Sequence, residues 1–194
     1  MNKYIHFMAW SLVAILVAIG FNACSEESTS NGAYGNVKAT FDKMKGDYKG
    51  KFSKANGTLQ ELSFTIDQQA NVVVASFPLD NVMAKLYPND YEHVTYSGEA
   101  LNYTCSIDSV GIPADGQLSF VTSDDLAKSR VDFSYTKDNQ SHNGYILVKT
   151  KGVYNSLMNA LSINFIVTDL IVDNTDYTSA LCPVNTYIDI AQHQ

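Results

Sequence analysis

Gly46-Asp47-Tyr48-Lys49-Gly50-Lys51-Phe52-Ser53, then Lys54-Ala55-Asn56-Gly57-Thr58, then Leu59-Gln60-Glu61-Leu62-Ser63-Phe64-Thr65-Ile66, is the stretch that decides the fold. Tyr48, Gly50 and Phe52 alternate with Lys49, Lys51 and Ser53, while Leu62, Phe64 and Ile66 alternate with Ser63, Thr65 and Asp67. A period of two sends alternate side chains to opposite faces of a strand, and Asn-Gly between two such runs supplies the residues of a tight turn. The stretch therefore reads as a β-hairpin.

The same period continues through Val72 to Phe77, Leu101 to Val110, Gln117 to Thr122, Val131 to Thr136, Gly144 to Thr150, Leu161 to Thr168 and Val184 to Ile190. That makes about nine strands, punctuated by turns at Asp115-Gly116 and His142-Asn143-Gly144. Two helices interrupt them. Val37, Phe41 and Met44 share a helical face after an Asn36 cap, with Gly46 ending the helix; Pro78 opens a second, with Leu79, Val82, Met83 and Leu86 on one face and Pro88 as its stop. Tyr154 to Ala160 is a candidate third helical turn. No repeat of 20 to 50 residues is visible, so solenoids and propellers are set aside. The expected class is mainly β: an antiparallel β-sandwich or partly open β-barrel with two or three short helices.

Upstream of the hairpin the chain carries an address. Lys3 precedes a nearly continuous apolar run, Met8 to Phe21, which ends at Asn22-Ala23-Cys24, the three-part pattern of a secretory signal. The run is interrupted by Ser11 and is short for a membrane span, which needs roughly 20 apolar residues. Phe21-Asn22-Ala23-Cys24 resembles the lipobox of bacterial lipoproteins. That resemblance implies removal of residues 1–23 and acylation of Cys24, and two or three acyl chains hold a protein on a bilayer where one does so only marginally. Residues 24–35 then read as the acylated cysteine and a flexible tether, and residues 36–194 as a single β-rich domain. Ser25-Glu26-Glu27 resembles in part the signal that sends Bacteroidetes lipoproteins to the outer face of the outer membrane; the periplasmic face is the alternative.

The chain has 194 residues with 13 basic and 20 acidic side chains, a net charge of −7. Losing Lys3 with the signal makes it more acidic still, which argues against a nucleic-acid partner. Cys105 and Cys182 remain as an even pair in a compartment where disulfides persist. A bridge between them would close a long loop and contribute roughly 4 kcal/mol; two separate buried thiols are the alternative.

Gly46-Asp47-Tyr48-Lys49-Gly50-Lys51-Phe52 after a lipobox and a short helix, together with Phe77-Pro78 before a second helix, resembles an uncharacterised group of Bacteroidetes outer-membrane lipoproteins with a Gly-x-Tyr-x-Gly-Lys first strand. The likeness covers most of the mature chain and brings no activity or catalytic residues. The domain is similar more distantly to lipocalin-type barrels, which also open with a short helix and a Gly-x-aromatic strand, although Tyr48 stands where a Trp is usual. Asp108-Ser109-Val110 resembles the Asp-Ser/Thr-apolar acceptor for O-glycosylation in Bacteroidetes and makes Ser109 a candidate site.

Catalytic motifs are not found. The sequence contains no Gly-x-Ser-x-Gly, P-loop, Rossmann glycine pattern or His-Glu-x-x-His. His93, His142 and His193 are not at metal-ligand spacing, His193 sits near a C-terminus expected to fray, and no cofactor is implied. Asp124-Asp125 and Asp173-Asn174-Thr175-Asp176 offer oxygens to calcium without the spacing of a calcium loop. Glu92, Glu99, Asp108 and Asp132 are the carboxylates to weigh for glycoside hydrolysis, although Asp108 and Asp132 read as outward strand residues. Lys43, Lys45, Lys49, Lys51 and Lys54 form a basic stretch that suits acidic headgroups or a solvated strand face. Trp10 is the only tryptophan and lies in the signal. Tyr87, Tyr91 and Tyr96 therefore form the candidate ligand surface, around Pro88-Asn89-Asp90, with closure of the core end as the alternative.

The expected function is a lipid-anchored outer-membrane lipoprotein that binds a glycan, a small hydrophobic ligand or an envelope protein. A structural or adhesive envelope component and a glycan-acting enzyme are the alternatives. A binding module should show a groove, and a structural component an open strand edge.

Overall fold

The structure, a computed structural model, describes residues 33–97 and 101–194. The signal segment, Cys24, tether residues 25–32 and Glu99 lie outside the described residues. The strands are β1 (Gly46–Ser53), β2 (Leu59–Ile66), β3 (Asn71–Val74), β4 (Thr95–Ser97), β5 (Tyr103–Gly111), β6 (Gln117–Thr122), β7 (Arg130–Lys137), β8 (Gln140–Asn155), β9 (Ala160–Val172), β10 (Thr175–Asp176) and β11 (Val184–His193). Four short helices accompany them: α1 (Ala33–Met44), α2 (Asp80–Leu86), α3 (Leu126–Ser129) and α4 (Thr178–Leu181).

All the strands belong to one antiparallel sheet in the order β10-β9-β11-β1-β2-β3-β5-β6-β8-β7-β4, and a further β8–β9 pairing closes eight of them into a barrel. The sandwich alternative falls, and the barrel is closed rather than partly open. The long strand β8 makes closure and extension compatible. Along one edge its first half pairs with β7, from Gln140 to Leu147, and its second half with β6, from Lys151 to Asn155. Its other edge pairs with β9 from Gly144 to Asn155. β7 and the start of β8 thus run on together beyond the ring as a ribbon, with β4 on the outer edge of β7.

Alternation fills the inside. Tyr48, Phe64, Phe77, Tyr103 and Phe165 are buried and meet edge-on or stacked at ring separations between 5.4 and 6.2 Å. An eight-stranded barrel is just wide enough to be filled in this way. The polar groups inside are satisfied: Tyr103 and Thr150 hydroxyls meet at 2.8 Å, and Thr122 Oγ1 accepts the Thr150 N–H at 2.8 Å.

The antiparallel register assigns the connections to two mouths. The proximal mouth carries the α1–β1 junction, the β5–β6 and β8–β9 turns and the end of β11; the distal mouth carries the β1–β2 turn, α2 and the start of β11. α1 closes the proximal mouth. Phe41 and Met44 are buried in the core, and the Tyr48 hydroxyl donates to Met44 O at 2.6 Å.

Several local expectations change. α1 begins at Ala33, so Asn36 lies inside the helix rather than capping it, and residues 33–35 are helical rather than tether. Gly46, two residues past the end of α1, takes φ +143° and also starts β1. Tyr154 to Ala160 is not helical, because it spans the β8–β9 hairpin. His142-Asn143-Gly144 is not a turn either: the β7–β8 turn is Asp138-Asn139, at φ +51° and +61° between paired Lys137 and Gln140. Gly144 instead lies in β8 under the Phe133 ring, where a Cβ would approach a ring carbon to 2.8 Å. His193 is not frayed, since its ring packs edge-on against Tyr48 at 5.0 Å and its Nε2 reaches Lys45 O at 3.1 Å.

Candidate functional site

The distal mouth holds an open cleft of about 860 Å³. Three chain segments make its walls. The β1–β2 turn is fixed by the Lys54 N–H to Thr58 O bond at 2.8 Å, and Asn56 Oδ1 accepts from the Thr58 N–H at 3.0 Å and from its hydroxyl at 2.7 Å. The Asn56 amide donates to Glu92 Oε1 at 3.0 Å, which ties that turn to the 3-10 turn Tyr91–His93. α2 supplies the second wall. It is seated by buried Leu79, Val82 and Met83, and its first turn is pinned to the barrel by the Lys54–Asp80 ion pair at 2.6 Å. Pro183 and the first two residues of β11, Val184 and Asn185, form the third wall.

Two groups in these walls lack partners. Asn81 donates its amide to Ser53 O at 3.2 Å and towards Asn185 O at 3.5 Å, which fixes the amide's orientation and turns Oδ1 the other way. That Oδ1 and the Tyr91 hydroxyl are both shielded from solvent and have no hydrogen-bond partner among the described residues. A buried polar group left unsatisfied costs about 1–3 kcal/mol, so such groups are uncommon and point to a missing partner. The remaining lining combines apolar Ala55, Ala84 and Pro88 with one cation, Lys85, and one carboxylate, Glu92. With Lys54 neutralised by Asp80, the cleft presents polar, near-neutral chemistry.

Of the three tyrosines taken as one ligand surface, only Tyr91 lines the cleft. Tyr87 packs on the core, its hydroxyl 2.6 Å from that of buried Tyr135 and its ring edge-on to the Tyr135 ring, with Lys137 above it at 5.2 Å. Tyr96 lies in edge strand β4 opposite Tyr135 and is 40 % exposed. Desolvation and then the Asp80 carboxylate push its hydroxyl pKa up. The three do not form a single surface, because strand pairing with β7 draws Tyr96 away from the loop and Tyr87 turns inward.

Cys105 and Cys182 are free thiols rather than a bridge. Cys105 points into the barrel from β5, whereas Cys182 sits just before β11, four strands away around the ring of eight. Opposite walls of a filled barrel keep them apart. Ser109 is exposed on β5, beside the bulge that falls between Ile107 and Ser109. Glu92 is in the cleft, Asp108 at the bulge and Asp132 on the outer side of β7 with Arg130 at 2.6 Å, so these carboxylates do not converge. The acidic runs weighed for calcium have other roles. Asp125 caps α3 at 3.0 Å, Asp124 pairs with Lys149, and Asp173-Asn174 make the positive-φ turn between β9 and β10. Within the basic stretch, Lys45, Lys49 and Lys54 pair with Asp42, Glu61 and Asp80.

Asn81, Pro183 and Asn185 were not legible as site residues. Asn81 reads as the polar face of a short helix, and only barrel closure brings β11 beside it. No protein family, curated protein or solved structure matches the chain.

Proposed function

We propose that this is a lipid-anchored outer-membrane lipoprotein of the kind found in Bacteroidetes, displayed at the cell surface, whose distal cleft binds a neutral, hydroxyl-rich ligand of the glycan class. The unpartnered Asn81 Oδ1 and Tyr91 hydroxyl carry the ligand-binding reading. Both atoms are closed to solvent in the free protein, so a sugar hydroxyl reaches them only when the Asn81 and Tyr91 side chains turn into the cleft; it can then donate to the first and either donate to or accept from the second. Lipidation rests on the lipobox ending at Cys24. The structural alternative calls for a long open strand edge; among the described residues the sheet ends in β4 and β10, of three and two residues, which add a partner strand poorly, while Leu59–Phe64 of β2 pair with β1 and not with β3.

A glycan array probed with the full mature protein tests the cleft. Binding of a neutral oligosaccharide should weaken about tenfold in Tyr91→Phe, the worth of one hydrogen bond at about 1.4 kcal/mol. Equal binding by Tyr91→Phe and Asn81→Leu would exclude the cleft. Palmitate incorporation that survives Cys24→Ser would exclude the anchor, and wild-type protein spared by protease added to intact cells would favour the periplasmic face.

A further inference from the structure

The proximal mouth carries apolar side chains where turns are normally polar. Leu157 is 88 % exposed and Met158 55 %, both in the β8–β9 turn, and Ile112 is 49 % exposed in the β5–β6 turn beside it. Much of the backbone of the turn that presents Leu157 and Met158 is paired within the protein. Asn155 Oδ1 accepts the N–H groups of Leu157 and Met158 at 3.0 and 3.2 Å, and Asn159 O accepts from the His193 N–H at 3.3 Å. Ser156 joins the two turns, donating its N–H and hydroxyl to Gly116 O at 2.9 and 2.8 Å. Apolar tips on a largely paired backbone suit a loop that dips through the lipid interface towards the hydrocarbon, because the bilayer core holds no water to take up stray N–H groups.

The N-terminal chain arrives at this same end. α1 leads into β1 at its C-terminus and also touches β6, which stands diametrically across the ring, so the helix spans the proximal mouth and its N-terminal half lies on the β6 side. The two apolar turns flank β6. Eight residues separate Cys24 from Ala33, nine Cα–Cα steps that reach about 30 Å at full extension. Lys38 and Lys43 are exposed on α1 and face acidic headgroups favourably, whereas Asp115 in the β5–β6 turn opposes approach.

We propose that the proximal mouth docks on the bilayer that holds the anchor, with Leu157, Met158 and Ile112 dipping into the lipid interface, so that the cleft at the other mouth faces away from the membrane. The docking rests on the Cys24 anchor reading, and the experiment separates the two. With Trp10 replaced by Phe, a tryptophan introduced as Leu157→Trp or Asn56→Trp is the single indole reporter of the full chain. Each variant is reconstituted into vesicles of phosphatidylethanolamine and phosphatidylglycerol with brominated acyl chains. Leu157→Trp should shift its emission to the blue and be quenched by the bromines, while Asn56→Trp, at the distal mouth, should do neither. Equal quenching at both positions, or none at position 157, overturns the docking whether or not Cys24 carries lipid. Quenching at position 157 in protein whose N-terminal peptide lacks acyl mass keeps the docking and discards the anchor.

Discussion

The Tyr87 and Tyr135 hydroxyls meet at 2.6 Å, one partly buried and the other fully so. This pair fastens the connection after α2 to β7, and it makes Tyr87 a structural residue. Tyr87→Ala should cost about 2–4 kcal/mol, from lost aromatic packing and from stranding the Tyr135 hydroxyl. Urea titration checks this. Ligand binding at the cleft should be unchanged once the variant is compared under folding conditions.

Tyr91 should behave in the opposite way. Its hydroxyl is shielded without a partner, so Tyr91→Phe removes an unsatisfied group and should leave the free protein equally stable or more stable by about 1 kcal/mol. Thermal melts of the free protein together with the binding assay give the test: a variant that loses stability and keeps affinity would contradict the assignment.

Cys105 and Cys182 being free, the oxidised and reduced proteins should melt alike, and the native mass should show both thiols. An alkylating reagent should modify partly exposed Cys182 before Cys105. Cys182 should still react slowly near neutral pH, because burial and then the Asp169 and Asp176 carboxylates raise its pKa. Modification of Cys105 first would mean that the barrel wall opens at β5.

Acid should loosen the ribbon that extends from the barrel. The His142 side chain and then the Asn143 N–H hold the Asp173 carboxyl below its ordinary pKa, and Lys137 followed by His93 do the same for Asp90. A carboxylate whose pKa is depressed in the folded state stabilises it above the unfolded value of about 4, and that contribution is lost as the pH falls through the folded value. Melting temperatures measured between pH 5 and pH 2 should therefore fall less steeply in Asp173→Asn than in wild type. Parallel slopes would count against the pairing.

Gly144→Ala should destabilise the barrel by about 1–3 kcal/mol, because the new methyl would meet both the Phe133 ring and the Ile171 carbonyl oxygen of β9. Chemical denaturation measures it. An unchanged midpoint would show that β8 and β9 separate easily at that point.

Period two was enough to find the strands that make the barrel, since in Tyr48-Gly50-Phe52 and Leu62-Phe64-Ile66 burial alternates as the sequence alternates. It could not find β4 or β10, which are too short to show a period and exist because β7 and β9 offer them an edge. Nor could it tell a sandwich from a barrel. That choice rests on β8 pairing with β9 along its second edge, and sheet order is a property of the whole chain. The turn at Asp138-Asn139 lost to His142-Asn143-Gly144 because a glycine beside asparagine marks both a tight turn and a place where a neighbouring ring needs room. The cleft was half visible: Tyr91 stands out by composition, whereas Asn81 gains meaning only from the carbonyls of Ser53 and Asn185.

His193 rests on Lys45 O and on the Tyr48 ring across a separation of 148 positions from Lys45. The first strand of the ring is therefore completed by the strand of the ring that comes last in the chain. A ribosome delivers β1 well before β11, so until β11 emerges one side of the β1–β2 hairpin has no neighbour. Its outward lysines are suited to that interval, because like charges discourage two nascent chains from joining edge to edge. Loss of the final strand by premature termination would leave this edge permanently bare, and the truncated chain should aggregate rather than settle into a smaller barrel.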